Sequence, residues 1–167
     1  MMKSGNAVGV AACLMALLLT APSSAATLEQ RQAAQKSQRA AADKKQQHRV
    51  VLQVNTNEPA TMNLALNNAT NVAQYYKDKG EKVTIEIVTF GPGLNMLRSD
   101  TSPVKARIET LALSTPEISY KACGNTQQNM QKAESKDIPI ISQAQVVPSG
   151  VVRVMELQEQ GWSYVKP

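Results

Sequence analysis

Apolar residues repeat along this chain with two different periods, which mark alternating strands and helices. A β-branched run at 49–56 is followed, between Glu58 and Gly80, by apolar residues spaced three and four positions apart. This pattern predicts a strand and then a helix with one apolar face, bounded by Pro in its first turn and Gly at its end. The alternation continues to the C-terminus, with further strands predicted at 82–90, 117–122, 144–147 and 162–167 and further helices at 103–114, 126–134 and 148–161.

Five strands alternating with four helices indicate an α/β fold with a parallel sheet and helices on both of its faces. Glu86 stands on the second face of its strand, which suggests that this face is incompletely buried. In open parallel sheets, the loops that leave the carboxyl ends of the strands share one edge, and ligands bind there. The predicted loops at this edge are 55–57, 91–93, 123–125 and 148–150.

The N-terminal segment has a different composition and predicts export. Residues 1–26 begin with Lys3, run through an apolar stretch, and place Ser24 and Ala26 at the −3 and −1 positions of a cut. These are the features of a cleaved secretory signal peptide, so the protein is expected in the periplasm or outside the cell, without a stable membrane anchor. Cleavage would remove Cys13 and leave 141 of the 167 residues, enough for one domain.

A basic tract follows the predicted cleavage site. Six Lys or Arg residues and one Asp lie between Arg31 and Arg49. Such a tract can bind nucleic acid or anionic lipid, but an exported protein meets no DNA, and the tract lacks interleaved aromatic residues for stacking on bases. We therefore predict no nucleic-acid partner, and we interpret 27–47 as a basic polar linker or N-terminal helix before an α/β domain at 48–167.

Cys123 and His48 limit the chemistry available to the mature chain, because each is the only residue of its type there. Cys123 lies on the predicted ligand-binding edge, whereas His48 precedes the first strand at the opposite edge. A Cys-His or Ser-His-Asp arrangement therefore cannot readily be assembled. One Cys and one His also cannot form a zinc or haem site in one protomer, and there is no C-x-x-C motif. We predict no metal and no cofactor.

The stretch ISYKACGNTQQNM places Cys123 at the end of a strand, immediately before a helix. Gly124 permits a sharp turn, and Asn125 is predicted to cap the helix while Gln128 reaches back toward it. Free N–H groups and the positive end of the helix dipole would then favour a thiolate over a thiol. The alternative is a buried, unreactive cysteine that packs as a small hydrophobic residue.

Several stretches together resemble the DsrE/DsrF-like family of small sulfur-relay proteins, in particular its exported single-domain members. The resemblance covers about 49–167 and rests on YKACGNT, on VVPSGVVRVMELQEQGWSYVKP, and on VLQVNTNEP with the helix LALNNATNV. It implies a three-layer α/β/α fold with a five-stranded parallel sheet, flavodoxin-like in its general architecture. It also implies homo-oligomers, often trimers or hexamers.

For family members with a cysteine at the position of Cys123, the resemblance implies a persulfide carrier that accepts sulfane sulfur and passes it to an acceptor thiol. The leading hypothesis is therefore a periplasmic sulfur-handling protein, sulfurtransferase-like at most, whose partners are donor and acceptor proteins or small thiols. The competing hypothesis is a non-catalytic binding or assembly module with the same fold. Loop position predicts the residues that line the site beside the sulfur, namely Gly124, Asn125, Asn55, Asn57, Ser149 and Gly150.

Overall fold

The computed structural model describes residues 24–45 and 47–167 of the chain. Each predicted strand and helix overlaps an observed one, and the predicted loop at 91–93 is the start of a 3₁₀ helix, Gly91–Leu97. The strands are β1 (Gln47–Val54), β2 (Lys82–Thr89), β3 (Ile118–Cys123), β4 (Ala144–Val147) and β5 (Ser163–Val165). The α-helices are α1 (Ser24–Lys45), α2 (Pro59–Asp78), α3 (Lys105–Ser114), α4 (Gly124–Glu134) and α5 (Gly150–Glu159).

The chain divides into two units between Ala40 and Ala41, inside the tract predicted as a linker or helix. The tract is helical here, as part of α1, and the side chains at 28–38 are exposed. The predicted signal peptide, 1–26, lies outside the described residues except for its last three positions, which belong to α1. No helix in the described part of the chain combines the length and the apolar character needed to cross a membrane.

The five strands form one parallel sheet in the order β4-β3-β2-β1-β5. Helices cover both faces of this sheet, which confirms the predicted three-layer α/β/α fold with five parallel strands. The register pairs apolar positions across the centre of the sheet, for example Val50 with Ile85 and Ile87 with Tyr120. These strands are rich in Val and Ile because parallel strands are buried on both faces.

The direction of each connection decides which face its helix covers. The chain steps from β1 through β2 and β3 to β4 in one direction, and crossover connections between parallel strands are almost always right-handed. Helices α2, α3 and α4 therefore share one face. The connection from β4 to β5 runs back across the sheet in the opposite direction, so α5 lies on the other face.

Two apolar clusters fill the space between the layers. The larger one lies under α2, α3 and the 3₁₀ helix and includes Met62, Leu66, Ile85, Ile87, Leu94 and Ile108. The smaller one lies under α5 and consists of Val51, Val88, Val154 and Leu157, with Phe90 and Trp162 packed against it.

Glu86 corrects one expectation from the sequence. Its strand face was predicted to be incompletely buried, but only 3% of the residue is exposed, because α5 covers this position. Arg153 of α5 donates two hydrogen bonds to the Glu86 carboxylate. The buried charge is thus paired with a partner that lies 67 residues away in the sequence.

Candidate functional site

Cys123 lies where the direction of the chain connections switches. It is the last residue of β3 and pairs in register with Val147, the last residue of β4. The chain leaves β3 into α4 on one face of the sheet and leaves β4 into α5 on the other. The crevice between two such diverging connections is the usual ligand site of open α/β sheets. Cys123 therefore stands at the position where this fold most often does chemistry.

The first turns of α4 and α5 both approach Cys123. Gly150 begins α5, and a Cβ atom added to it would lie 3.2 Å from the Cβ atom of Cys123 and 2.9 Å from Cδ1 of Phe90. A side chain at Gly150 would thus push α5 away from the thiol. The start of α4 is also bonded to the loop that precedes α5, since the backbone N–H of Asn125 donates to the carbonyl of Pro148 over 3.2 Å.

The sequence misplaced the cap of α4. Asn125 was predicted to cap this helix with help from Gln128, but α4 begins at Gly124, so Cys123 itself is the N-cap residue. Asn125 is then the second residue of the first turn. The prediction failed because Gly124 adopts helical backbone geometry and does not form a separate turn.

The Cys123 thiol is buried, with 4% of the residue exposed, yet its surroundings favour ionisation. Burial by itself raises the pKa of the thiol, whereas the Thr126 hydroxyl lowers it, as do the backbone N–H groups of Gly150, Thr126 and Asn125. The balance holds the pKa of Cys123 below its ordinary value of 9.0. Donors from both helix ends therefore stabilise a negative charge on this sulfur.

Thr126 is a residue of the candidate site that the sequence did not predict. It is the third residue of α4, and its hydroxyl oxygen accepts a hydrogen bond of 3.0 Å from the backbone N–H of Gly91. This bond ties the start of the 3₁₀ helix to the start of α4 beside the thiol. A small hydroxyl residue three positions after a strand-end cysteine was the available signal.

The residues predicted to line the site fall into two groups. Gly124, Asn125, Ser149 and Gly150 lie at the two helix starts beside Cys123. The end of β1, with Asn55 and Asn57, is two strands from β3, about 10 Å at the usual strand spacing.

Asn57 instead accepts a hydrogen bond of 2.7 Å from the side-chain amide of Asn95 in the 3₁₀ helix. The ammonium group of Lys121 on β3 donates a hydrogen bond to the side-chain oxygen of Gln145 on β4.

His48 lies at the opposite edge of the sheet, in the second position of β1. Its ring stacks on Tyr76 with a centroid separation of 3.7 Å, and its Nε2 atom lies 2.8 Å from a carboxylate oxygen of Glu81. In the described part of the chain, His, Cys, Asp and Glu side chains do not gather in any group of three that could hold a metal ion.

Comparison with known proteins supplies a relative in fold and no function. The structure of MTH1491 from Methanobacterium thermoautotrophicum, described as a protein of unknown function, is similar, with a TM-score of 0.60 and 27% sequence identity. The match covers 72% of this chain and 99% of that one. No family model and no curated protein matches the chain.

Proposed function

We propose that the protein carries sulfane sulfur as a persulfide on Cys123 and transfers it to an acceptor thiol. The observation that carries this proposal is the position of Cys123 between the first turns of two helices, at the switch in strand connections. The resemblance of the chain to the DsrE/DsrF-like family agrees with this role. The protein would thus act as a sulfurtransferase-like carrier that needs neither metal nor cofactor.

The proposed cycle consists of two sulfur exchanges. The Cys123 thiolate attacks the outer sulfur of a donor persulfide or polysulfide; a new S–S bond forms on Cys123, and the S–S bond of the donor breaks to release the donor thiolate. An acceptor thiolate then attacks the outer sulfur of the Cys123 persulfide, and Cys123 leaves as a thiolate. The sulfur passes on with no net oxidation or reduction.

The surroundings of Cys123 suit both exchanges. In the first exchange the sulfur must be an anion to act as the nucleophile, and in the second it must leave as an anion. The Thr126 hydroxyl and the backbone N–H groups of Asn125 and Gly150 stabilise this negative charge. The same group of donors can therefore serve uptake and release.

The setting that we propose follows from the N-terminal segment and from the family resemblance. The protein would be exported, cleaved after Ala26 and assembled as a homo-oligomer, a trimer or a hexamer. Its partners would be sulfur donor and acceptor proteins or small thiols. Intact mass of the exported protein checks the new N-terminus at Thr27, and light scattering that finds a monomer at micromolar concentration would contradict the assembly.

The burial of Cys123 favours a second candidate, a non-catalytic binding or assembly module. With 4% of the residue exposed, a purely structural cysteine would fit the same position. The two candidates differ in what the folded protein does with sulfur. A module would leave its thiol unmodified, whereas a carrier must open the site enough for a donor to reach it.

Polysulfide treatment of the folded protein tests the proposal. We expect intact mass to rise by about 32 Da, one sulfur atom, and a thiol acceptor such as dithiothreitol to remove the added mass. Cys123→Ser should abolish the adduct and leave the circular dichroism spectrum unchanged. If the thiol takes up sulfur only in denaturant, the protein is the non-catalytic binding or assembly module and not a sulfur carrier.

A further inference from the structure

A groove runs between the 3₁₀ helix and α4. Its volume is about 500 Å³, within the range of small-ligand sites. One face of α4 forms its wall, because positions 126, 129, 130, 133 and 134 recur at helical spacing. The residues that line it are Asn57, Gly91, Pro92, Asn95, Arg98, Thr126, Asn129, Met130, Ala133 and Glu134.

Hydrogen bonds at two positions connect the two sides of the groove and fix its width. At one end, the N–H of Gly91 donates to the hydroxyl of Thr126 over 3.0 Å. At the other end, Arg98 binds the Glu134 carboxylate through hydrogen bonds of 2.5 and 3.0 Å. The stretch of α4 between Thr126 and Glu134 is about 12 Å long at 1.5 Å per residue. That length matches about four residues of extended chain.

The charges at the Glu134 end of the groove cancel one another. Arg98, whose side chain is 6% exposed, also binds Asp100 through two hydrogen bonds of 2.9 and 2.8 Å. Lys136 lies 3.4 Å from Asp100 and 3.2 Å from Glu134. Two cations and two anions thus satisfy each other. The cluster therefore has no net charge and offers a charged ligand no unpaired partner, whereas an uncharged ligand needs none.

Both side-chain amides and apolar groups line the groove. Asn95 is fixed because it donates to Asn57 and accepts from Thr101. Asn95 donates to the side-chain oxygen of Asn57, so both side-chain N–H groups of Asn57 remain available as donors. Asn129 is exposed on the opposite wall, beside the partly buried Met130. Amide groups pair well with the N–H and C=O groups of a peptide backbone.

We propose that this groove binds an extended, uncharged peptide segment of about four residues, with Asn57, Asn95 and Asn129 bonding to its backbone and Met130 contacting one of its small apolar side chains. The inference does not depend on the proposed sulfur transfer, because the peptide needs no thiol. The bound segment would lie against Thr126, which is shared between the groove and the surroundings of Cys123.

Nuclear magnetic resonance titration of the full chain tests this proposal. The probes are blocked tetrapeptides, acetylated and amidated, with Ala, Val, Ser or Asn at the two central positions. We expect millimolar binding, with chemical-shift changes concentrated on Asn95, Thr126 and Asn129. The same peptides with a central Asp should bind at least about five-fold more weakly, because Arg98, the cation among the lining residues, is already paired with Asp100 and Glu134.

Matched variants of α4 separate the groove from the rest of the helix. Ala133→Leu should fill the groove and abolish the shifts, and Asn129→Ala should weaken binding about five-fold by removing one backbone contact. Gln128→Leu adds the same leucine on the opposite, exposed face of α4 and should leave binding unchanged. Asn129→Ala lies at an exposed position, so it supplies an answer even if Ala133→Leu perturbs the fold.

Three results would overturn the inference: no shifts with any of the uncharged peptides, shifts that persist in Ala133→Leu, or equal binding of the Asp peptides. Peptide binding should survive in Cys123→Ser. If the protein binds the peptides but takes up no sulfur, the proposed function is wrong and the peptide groove is retained. If the protein takes up sulfur but binds none of the peptides, the peptide groove is wrong and the proposed function is retained.

Discussion

Arg153 of α5 donates two hydrogen bonds to the carboxylate of Glu86 on β2, from Nε to Oε1 at 2.6 Å and from Nη2 to Oε2 at 2.9 Å. The carboxylate lies under α5, whereas 30% of the Arg153 side chain remains exposed. The backbone N–H of Arg153 donates to the carbonyl of Ser149, in the first turn of α5. The ion pair thus fixes the helix end that approaches Cys123.

Arg153→Met should destabilise the protein by about 3 kcal/mol, because it leaves the Glu86 carboxylate buried without a partner. The double variant Glu86→Leu/Arg153→Met should recover most of that loss, since two apolar side chains can replace a buried pair. Urea denaturation measures both. Lys132→Met, which removes an exposed charge from α4, is the control and should cost less than about 0.5 kcal/mol. Equal losses in the single and double variants would contradict the role of the pair.

Thr126→Val should raise the pKa of Cys123, because it removes the hydroxyl that lowers this pKa most strongly. Thr126→Ser keeps the hydroxyl and should retain the low pKa. The pH dependence of iodoacetamide alkylation measures this pKa directly. Thr110→Val removes an exposed hydroxyl from α3 and should change nothing. An identical alkylation profile in Thr126→Val would show that backbone N–H groups alone control the sulfur.

The stability of the protein should depend on pH through the same thiol. Its pKa is lower in the folded than in the unfolded chain, so ionisation of Cys123 stabilises the folded state above the unfolded value of about 9.0. The contribution is lost as the pH falls through the folded pKa. The difference in unfolding free energy between the wild type and Cys123→Ser should therefore grow as the pH rises toward 9.0. A difference independent of pH would contradict thiolate stabilisation.

Tyr120→Phe should preserve or slightly increase stability at neutral pH. The Tyr120 phenol is buried, and its oxygen has no hydrogen-bond partner among the described residues. Burial raises the pKa of Tyr120 to about 12, so the folded state binds its proton more tightly than the unfolded state, in which the pKa is about 10.0. The wild type should thus lose stability between pH 10 and 12, and Tyr120→Phe should lose less over that range. Thermal unfolding across this range measures the difference.

A chain that begins at residue 46 should fold and keep the reactivity of Cys123. The side chains described at 28–38 are exposed, and the apolar residues of this tract are mainly Ala. Ordering such a segment costs about 1 to 2 kcal/mol per residue, which little apolar burial offsets. Circular dichroism and alkylation kinetics compare the two chains. A truncated chain that fails to fold would show that the tract packs.

The sequence predicts the sheet and the location of the sulfur because both depend on local patterns. Runs of Val and Ile mark the strands, and the change of period after Cys123 marks the start of α4. The partner of Glu86 could not be predicted in this way, since it lies 67 residues away and is set by the position of α5. Thr126 escaped notice because its contact with Gly91 depends on how the 3₁₀ helix packs against α4.

Cys123 receives one of its hydrogen-bond donors, the backbone N–H of Gly150, from the start of α5. Gly150 lies 27 residues after Cys123 in the sequence, so it leaves the ribosome after β3 and α4 have been made. A nascent or truncated chain that ends before Gly150 would carry Cys123 at the end of β3 with donors from α4 alone. We therefore expect the thiol to gain its full reactivity only after α5 has been made and has docked on the sheet. Its rate of alkylation would then serve as a built-in measure of maturation.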